Sequence, residues 1–264
     1  MLARASQVLG EESYYHEFIE GLERVLTPAG TSVLVNVVNS PAAEIATYRR
    51  WSAQRMVHGV IMVDLRPGDD RVRLVRELGL PAVVMGDPST ADGLPTVWTD
   101  DHGFAREVVG FLAGRGHAVL GHVSGPSTLT HTQLRRAGFS SFGSDITVIG
   151  VEGDYSVACG RALTAQLLAS RPTAIVYDND LMALGGLEAI RAHGLRVPED
   201  VSVVAWDDSA QCQLAVPALS AMSHDVCQVG EIAAYAVLDA MRGVAPAAVY
   251  EAPKAHIVER ESTR

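Results

Sequence analysis

The sequence predicts an α/β protein built as two lobes, each a mostly parallel sheet flanked by helices. Three observations lead there. Short apolar runs alternate with helical patterns along almost the whole chain, the signature of repeated βα units. The stretch Arg171–Asp208 holds two such runs, Ala174–Tyr177 and Val201–Trp206. Between them lies a helical pattern marked by Leu181, Leu184, Leu187 and Ile190 and closed by Gly194. Runs with no polar alternation read as strands buried on both faces, as in a parallel sheet. Finally, an irregular segment, DPSTADGLPTVWTDD (Asp87–Asp101), separates two βα series.

Taken in order, Met1–Ala3 reads as the tail of a strand, followed by the polar loop Ser6–Tyr15. A helix is expected over His16–Leu26, with Phe18, Ile19, Leu22 and Leu26 as its apolar face. Ser32–Val38 reads as a buried strand, Pro41–Val57 as a helix, and Gly59–Val63 as a strand ending at Asp64. A helix over Arg71–Leu78 leads to the strand Ala82–Met85, which ends in Gly86 and Asp87. In the second series, helices are expected over Phe104–Arg115, His131–Phe139 and Val157–Ser170, and strands over Val119–Ser124 and Thr147–Val151. After the central stretch, Ala221–His224 is extended, Val226–Met241 helical and Tyr250–Val258 the last extended piece. The expected lobes are 1–100 with 223–245, and 101–222 with 246–264. Ligands of open α/β sheets bind beyond the carboxyl ends of the strands, which places the expected site in the cleft between the lobes.

Composition narrows the function. A chain of 264 residues, 48% hydrophobic, can bury a substantial core. A net charge of −10, with no basic stretch, argues against nucleic-acid binding by these residues themselves. Cys159, Cys212 and Cys227 are odd in number and form no C-x-x-C, which suits a reduced, cytoplasmic protein. No signal-peptide pattern opens the sequence and no apolar run reaches membrane-spanning length, so no membrane partner is expected.

Enzyme motifs are missing too: there is no G-x-S-x-G, G-x-G-x-x-G, P-loop or H-E-x-x-H. The run IVYDNDL resembles the D-x-D strand of haloacid-dehalogenase-type phosphatases, with Asp207 and Asp208 as its later acidic pair. Those enzymes need an intervening lysine to counter phosphate charge, and none lies between Asp180 and Asp207. No enzymatic activity, cofactor or metal site is expected.

Five segments, in this order and spacing, carry a family resemblance. They are RRAGF (Arg135–Phe139), EGDYS (Glu152–Ser156), RPTAIVYDNDLMALGGL (Arg171–Leu187), GLRVPEDVSVVAWDD (Gly194–Asp208) and PALSAM (Pro217–Met222). Through them the chain resembles the effector-binding region of LacI/GalR-type transcription regulators, which share a periplasmic-binding-protein-like fold. The resemblance spans nearly the whole chain. It implies a sensor that binds a small polar effector, a sugar or sugar derivative, in the inter-lobe cleft. It also implies a homodimer that meets operator DNA only through an N-terminal helix-turn-helix, which these residues do not include. The region Phe139–Val148 is shorter than the family pattern. A sugar-binding protein of an ABC transporter is the rival reading.

The resemblance assigns site residues. Asp207, at the end of the VSVVAW strand, matches the aspartate that reads ligand hydroxyls, and a carboxylate suits a vicinal diol. Arg135 matches the arginine that forks onto the ligand, Asn179 a polar contact, and Tyr155 the aromatic ring that packs on the ligand face. Asp180 is expected to cap the helix starting at Leu181, while Asp178 is open between capping and contact. Trp206 either lines the cleft or closes the core, and His131 either reaches the ligand or starts a helix. In the first lobe the candidates are Tyr14 and Tyr15 ahead of the first helix, with Asp64 and Asp87 at strand ends. For the dimer, Tyr48, Trp51 and Met56 lie on more than one face of the Pro41–Val57 helix, more apolar surface than one buried stripe needs.

Overall fold

A computed structural model describes residues 12–38, 40–143, 145–244 and 247–264. The strand tail expected at Met1–Ala3 lies outside the described residues. In chain order the helices are α1 (Ser13–Leu26), α2 (Pro41–Gln54), α3 (Asp70–Glu77), α4 (Asp101–Ala113), α5 (Thr130–Ser140), α6 (Val157–Leu167), α7 (Asp180–Ala192), α8 (Ala210–Leu214) and α9 (Val226–Arg242). The strands are β1 (Val60–Met62), β2 (Ala82–Met85), β3 (Thr96–Trp98), β4 (Val119–Ser124), β5 (Thr147–Glu152), β6 (Ala174–Tyr177), β7 (Ser202–Trp206), β8 (Ser220–Ser223), β9 (Val249–Glu251) and β10 (His256–Val258). Contacts divide the chain into two compact units, Met1–Thr99 with Asp225–Lys254, and Asp100–His224 with Ala255–Arg264.

The first unit carries a parallel sheet in the order β1-β2-β3-β9. The stretch expected as one last extended piece is therefore two strands. β9 pairs with β3 through Thr96–Val249 and Val97–Tyr250, so 247–254 belongs here and not with the second lobe. Two further expectations fail. Ser32–Val38 is not a buried strand: Val37 alone forms a bridge, and Leu34, Val35 and Val37 are 54%, 44% and 50% exposed. Tyr48 and Trp51 do not offer a surface, because both rings are buried in one cluster with Met62, Val75 and Val84; Met56 alone of the three is exposed. The sequence pattern could not separate a helix buried on two sides from one with a spare face. α2 starts as its residues dictate, with the Ser40 side chain accepting from the Ala43 N–H and Pro41 in the first turn.

In the second unit the sheet runs β10-β8-β7-β6-β4-β5, parallel throughout except for β10. β6 and β7 are buried at every residue, as their unbroken apolar runs require. Helices α6 and α7 approach until side chains no longer fit between them. A Cβ on Gly160 would sit 2.2 Å from the Met182 carbonyl oxygen, and one on Gly185 2.0 Å from that of Val157. This contact fixes the loop before α6 against the start of α7. Among the described residues no helix is long and apolar enough to cross a membrane.

Candidate functional site

The carboxyl ends of β4, β6 and β7 gather most of the second-unit candidates. At the end of β6 the caps are reversed from expectation. Helix α7 begins at Asp180, and its cap is Asn179, whose Oδ1 accepts from the Met182 N–H at 3.0 Å. Asn179 Nδ2 donates to the Tyr155 carbonyl at 3.0 Å, so this buried amide is committed to scaffolding on both sides. Asp180 is buried one residue further on. Burial pushes its carboxyl above the usual range, despite bonds from Ser209 and the Leu181 N–H that act the other way. Asp178 is also buried. Its Oδ1 meets His122 Nε2 at 2.9 Å and its Oδ2 accepts from the Gly125 N–H at 2.9 Å.

Arg135 sits at the centre. Its Nε donates to Asp101 Oδ1 at 2.7 Å and its Nη1 to the Asp178 carbonyl at 3.2 Å. The guanidinium lies 4.1 Å over the Trp206 ring, a cation–π geometry. Trp206 is thus part of the core, packed with Val204 and Met222, while one of its faces is the shelf on which Arg135 lies. Burial opposes the charge on Arg135, but Asp101, Asp178, Tyr155 and Asp207 together raise its pKa above the ordinary arginine value. The Asp207 carboxylate therefore lies within electrostatic reach of the guanidinium.

Tyr155 has a left-handed backbone, φ 71°, and a buried ring whose hydroxyl meets His131 Nε2 at 2.9 Å. His131 lies in the first turn of α5, which starts at Thr130. Asp207 follows β7 with φ 70°, a conformation that Asp tolerates better than most side chains. Its N–H donates to the Met222 carbonyl at 3.1 Å, and its Oδ1 lies 3.9 Å from His224 Nδ1. Its neighbour Asp208 points elsewhere, forked by Arg260 at 2.7 and 2.8 Å.

In the first unit, Tyr15 and Asp64 come together and Asp87 does not join them. The expected loop ahead of the first helix is helical from Ser13, so Tyr14 and Tyr15 stand in its first turn. Tyr14 stacks on Phe18, Tyr15 packs against Val63, and the Tyr15 hydroxyl donates to Asp64 Oδ2 at 3.4 Å. Asp64 has φ 55°, and Arg71 Nη2 holds its carbonyl at 2.9 Å. Asp87 caps the short 3₁₀ turn Pro88–Thr90, accepting from the Ser89 N–H.

The comparisons with known proteins bear on what this constellation serves. A family model described as periplasmic binding protein-like domain matches residues 109–263. The HTH-type transcriptional repressor PurR of Salmonella newport is 31% identical over 244 residues, 87% of this chain and 70% of the repressor. A LacI family transcriptional regulator from Bifidobacterium animalis subsp. lactis superposes with a TM-score of 0.89 at 32% identity, covering 95% of this chain and 94% of that one. The chain belongs to the LacI family of transcriptional regulators. A complex of the transcriptional regulator CelR with cellobiose also superposes, with a TM-score of 0.89 at 26% identity over 99% of this chain and 82% of that one.

Sequence reasoning about this LacI-family domain missed the groups that hold the candidates in place: Asp101 and His122 in the second unit, Arg71 in the first. His122 carried a weak signal, a polar residue in the middle of the apolar run VLGHVS. A mid-strand His in a buried sheet needs a partner, and Asp178 is that partner.

The pair has a measurable consequence. Burial alone would raise the Asp178 pKa, but the charge and hydrogen bond of His122, then Arg135 and the Gly125 N–H, bring it down to about 2. A folded-state pKa below the unfolded value stabilises the fold above the unfolded pKa, and that stability is lost as pH falls towards the folded pKa. The expected window is from about pH 4 down to about pH 2, with a contribution of about 2 kcal/mol at neutral pH. Urea unfolding across that window should show Asp178→Asn with a flatter acid limb than the wild type. Superimposable limbs would rule the assignment out.

Proposed function

We propose that this domain senses a small polar effector, a sugar or sugar derivative, bound in the cleft between its lobes. Binding then switches the operator affinity of the regulator to which it belongs. The observation that carries the reading is the stacking of the Arg135 guanidinium on the Trp206 ring, with the Asp207 carboxylate, at the carboxyl end of β7, within its electrostatic reach. An acceptor carboxylate and a donor guanidinium beside an aromatic shelf suit the hydroxyls and apolar face of a sugar ring. Tyr155, His131 and the Asp178–Asn179 corner support that pair from the second lobe, and Tyr14, Tyr15, Asp64 and Asp87 are the first-lobe candidates. The transcriptional regulator CelR, solved in complex with cellobiose, favours the same ligand class. Relatives that are repressors weigh against the transporter alternative and for a cytoplasmic, non-enzymatic role.

The switch is a linkage: an effector that prefers one arrangement of the protein shifts the population towards it, with couplings of about 1–3 kcal/mol. The test is a thermal-shift screen of the chain against sugars, sugar phosphates and nucleosides, followed by calorimetry on any hit. A ligand bound by the folded state alone raises its melting temperature. Stabilisation by a sugar or sugar phosphate supports the reading. A nucleoside hit, with sugars silent, overturns the ligand class.

The domain is also expected to pair as a homodimer, since two heads must reach two half-sites of an operator. The sequence pointed to α2 for the contact, but its rings are buried. Leu214 and Val216 are the better surface: they are 82% and 76% exposed, and Val216 borders a hollow of about 320 Å³ with Leu187, Leu195 and Pro217. Apolar groups so placed are typical of a face that a two-fold partner covers. Light scattering at micromolar concentration should give about twice the 28.1 kDa chain mass, and the double substitution Leu214→Glu with Val216→Glu should return it to the single-chain mass. A wild-type monomer, with effector present, refutes the pairing.

A further inference from the structure

Arg135 has the donors of an anion receptor, but its charge is already answered. Its Nε donates to Asp101 Oδ1 at 2.7 Å, and the two side chains are only 12% and 6% exposed. A second carboxylate belongs to Asp178, whose carbonyl accepts from Nη1 at 3.2 Å. A third, Asp207, lies within electrostatic reach at the end of β7. One guanidinium therefore faces three carboxylates. What remains of it is hydrogen-bonding capacity: among the described residues, the Nη2 donors have no partner.

The neighbouring imidazoles do not reverse that balance. His122 Nε2 meets Asp178 Oδ1 at 2.9 Å and His224 Nδ1 lies 3.9 Å from Asp207 Oδ1, so a proton on either ring neutralises its own partner. His131 faces the Tyr155 hydroxyl. The first-lobe candidates bring two more carboxylates, Asp64 and Asp87, and no cation, and the chain as a whole carries −10.

Phosphate recognition works on the opposite arrangement, with cationic forks and N–H groups gathered around the dianion. A phosphate brought to Arg135 competes with Asp101 for the same guanidinium and lies beside Asp178 and Asp207. Like-charge juxtaposition of that kind rejects wrong partners. An uncharged hydroxyl meets no such opposition, since Nη2 donates to its oxygen and a carboxylate accepts its hydrogen.

We propose that this corner of the second unit excludes anions and takes its effector through uncharged, unphosphorylated hydroxyls, with Asp101 and Asp207 setting that specificity. The inference rests on the effector reading and narrows its ligand class from sugars and their derivatives to neutral sugars.

The first arm of the test needs no identified effector. Inorganic phosphate is added to millimolar concentration at about pH 8, above the ordinary histidine range, while the Arg135 Nε–H resonance of nitrogen-labelled protein is followed. The wild-type resonance is expected to move no more than in matched chloride. The double substitution Asp101→Asn with Asp207→Asn keeps both shapes and an acceptor for Arg135 Nε while removing both charges, and its resonance is expected to shift saturably. Asp207→Asn alone leaves the Arg135–Asp101 pair in place. It is expected to respond more weakly, and it carries the test where the double variant does not fold.

In the second arm, calorimetry compares glucose with glucose 6-phosphate and ribose with ribose 5-phosphate. In any pair that binds, the unphosphorylated sugar is expected to bind about a hundredfold tighter or more. A saturable wild-type response to phosphate, at Arg135 or at the amides of Thr130–Thr132, where α5 starts without a side-chain cap, overturns the proposal. Variants as indifferent to phosphate as the wild type overturn it too, as does a phosphorylated sugar that binds as well as its parent. If no sugar of either kind binds while phosphate separates the variants from the wild type, the effector reading fails and the exclusion of anions stands.

Discussion

Asp207→Asn is expected to weaken binding of the sugar found in the screen by about 2–5 kcal/mol, roughly thirtyfold to several thousandfold. Asparagine is the informative choice because it keeps the shape and tolerates φ 70°, so the change removes charge and acceptor capacity without forcing the backbone. The physical basis is asymmetric. A ligand hydroxyl that loses its carboxylate acceptor stays desolvated, and Arg135 loses one of the charges that hold it. Arg135→Ala is expected to reach a similar loss of affinity and to lower stability as well, since it leaves Asp101 without its guanidinium and uncovers a face of Trp206. Calorimetry separates the two variants from denaturant melts of the free protein. If both bind the sugar as the wild type does, the site is elsewhere.

The largest effect on stability is expected at Arg71. Its guanidinium is buried among Glu44 at 2.9 Å, Asp69 at 2.7 Å and the Asp64 carbonyl at 2.9 Å, while the Tyr48 hydroxyl donates to the same Glu44. Burial opposes the charge on Arg71, but the two carboxylates outweigh it and raise its pKa above the ordinary value. Arg71→Met strands two carboxylates in a region with almost no water contact and releases the strand-end carbonyl of Asp64. Breaking one side of a buried ion pair costs about 3–5 kcal/mol. Urea titration should show that loss in the first unit. A shift below about 1 kcal/mol would mean that the carboxylates find water or protons easily, and the cluster would then count as surface.

The same residue shows where sequence reading stops. Arg71 looked like the first residue of an ordinary surface helix, since periodicity marks an apolar stripe but says nothing about a cation that turns inward. Asn179 and Asp180 were legible as a strand-to-helix corner. Which of them capped α7 depended on the backbone of a single residue and on Tyr155 lying close enough to accept from the Asn179 amide. Tyr48 and Trp51 were legible as apolar and helical, but their burial depended on β1 and β2 packing behind them.

What the sequence determined alone was the alternation of elements, the double-sided burial of β6 and β7, and the placing of Asp178 and Asp207 at strand ends. These follow from short-range periodicity and from the need of a parallel strand to be apolar on both faces. Tertiary structure decided the partners: His122 for Asp178, Asp101 and Trp206 for Arg135, Arg260 for Asp208, and β3 for β9. Those pairs join residues far apart in the chain. Hydrogen-bond geometry and charge neutralisation select them only once the sheet order has set which strand ends are neighbours.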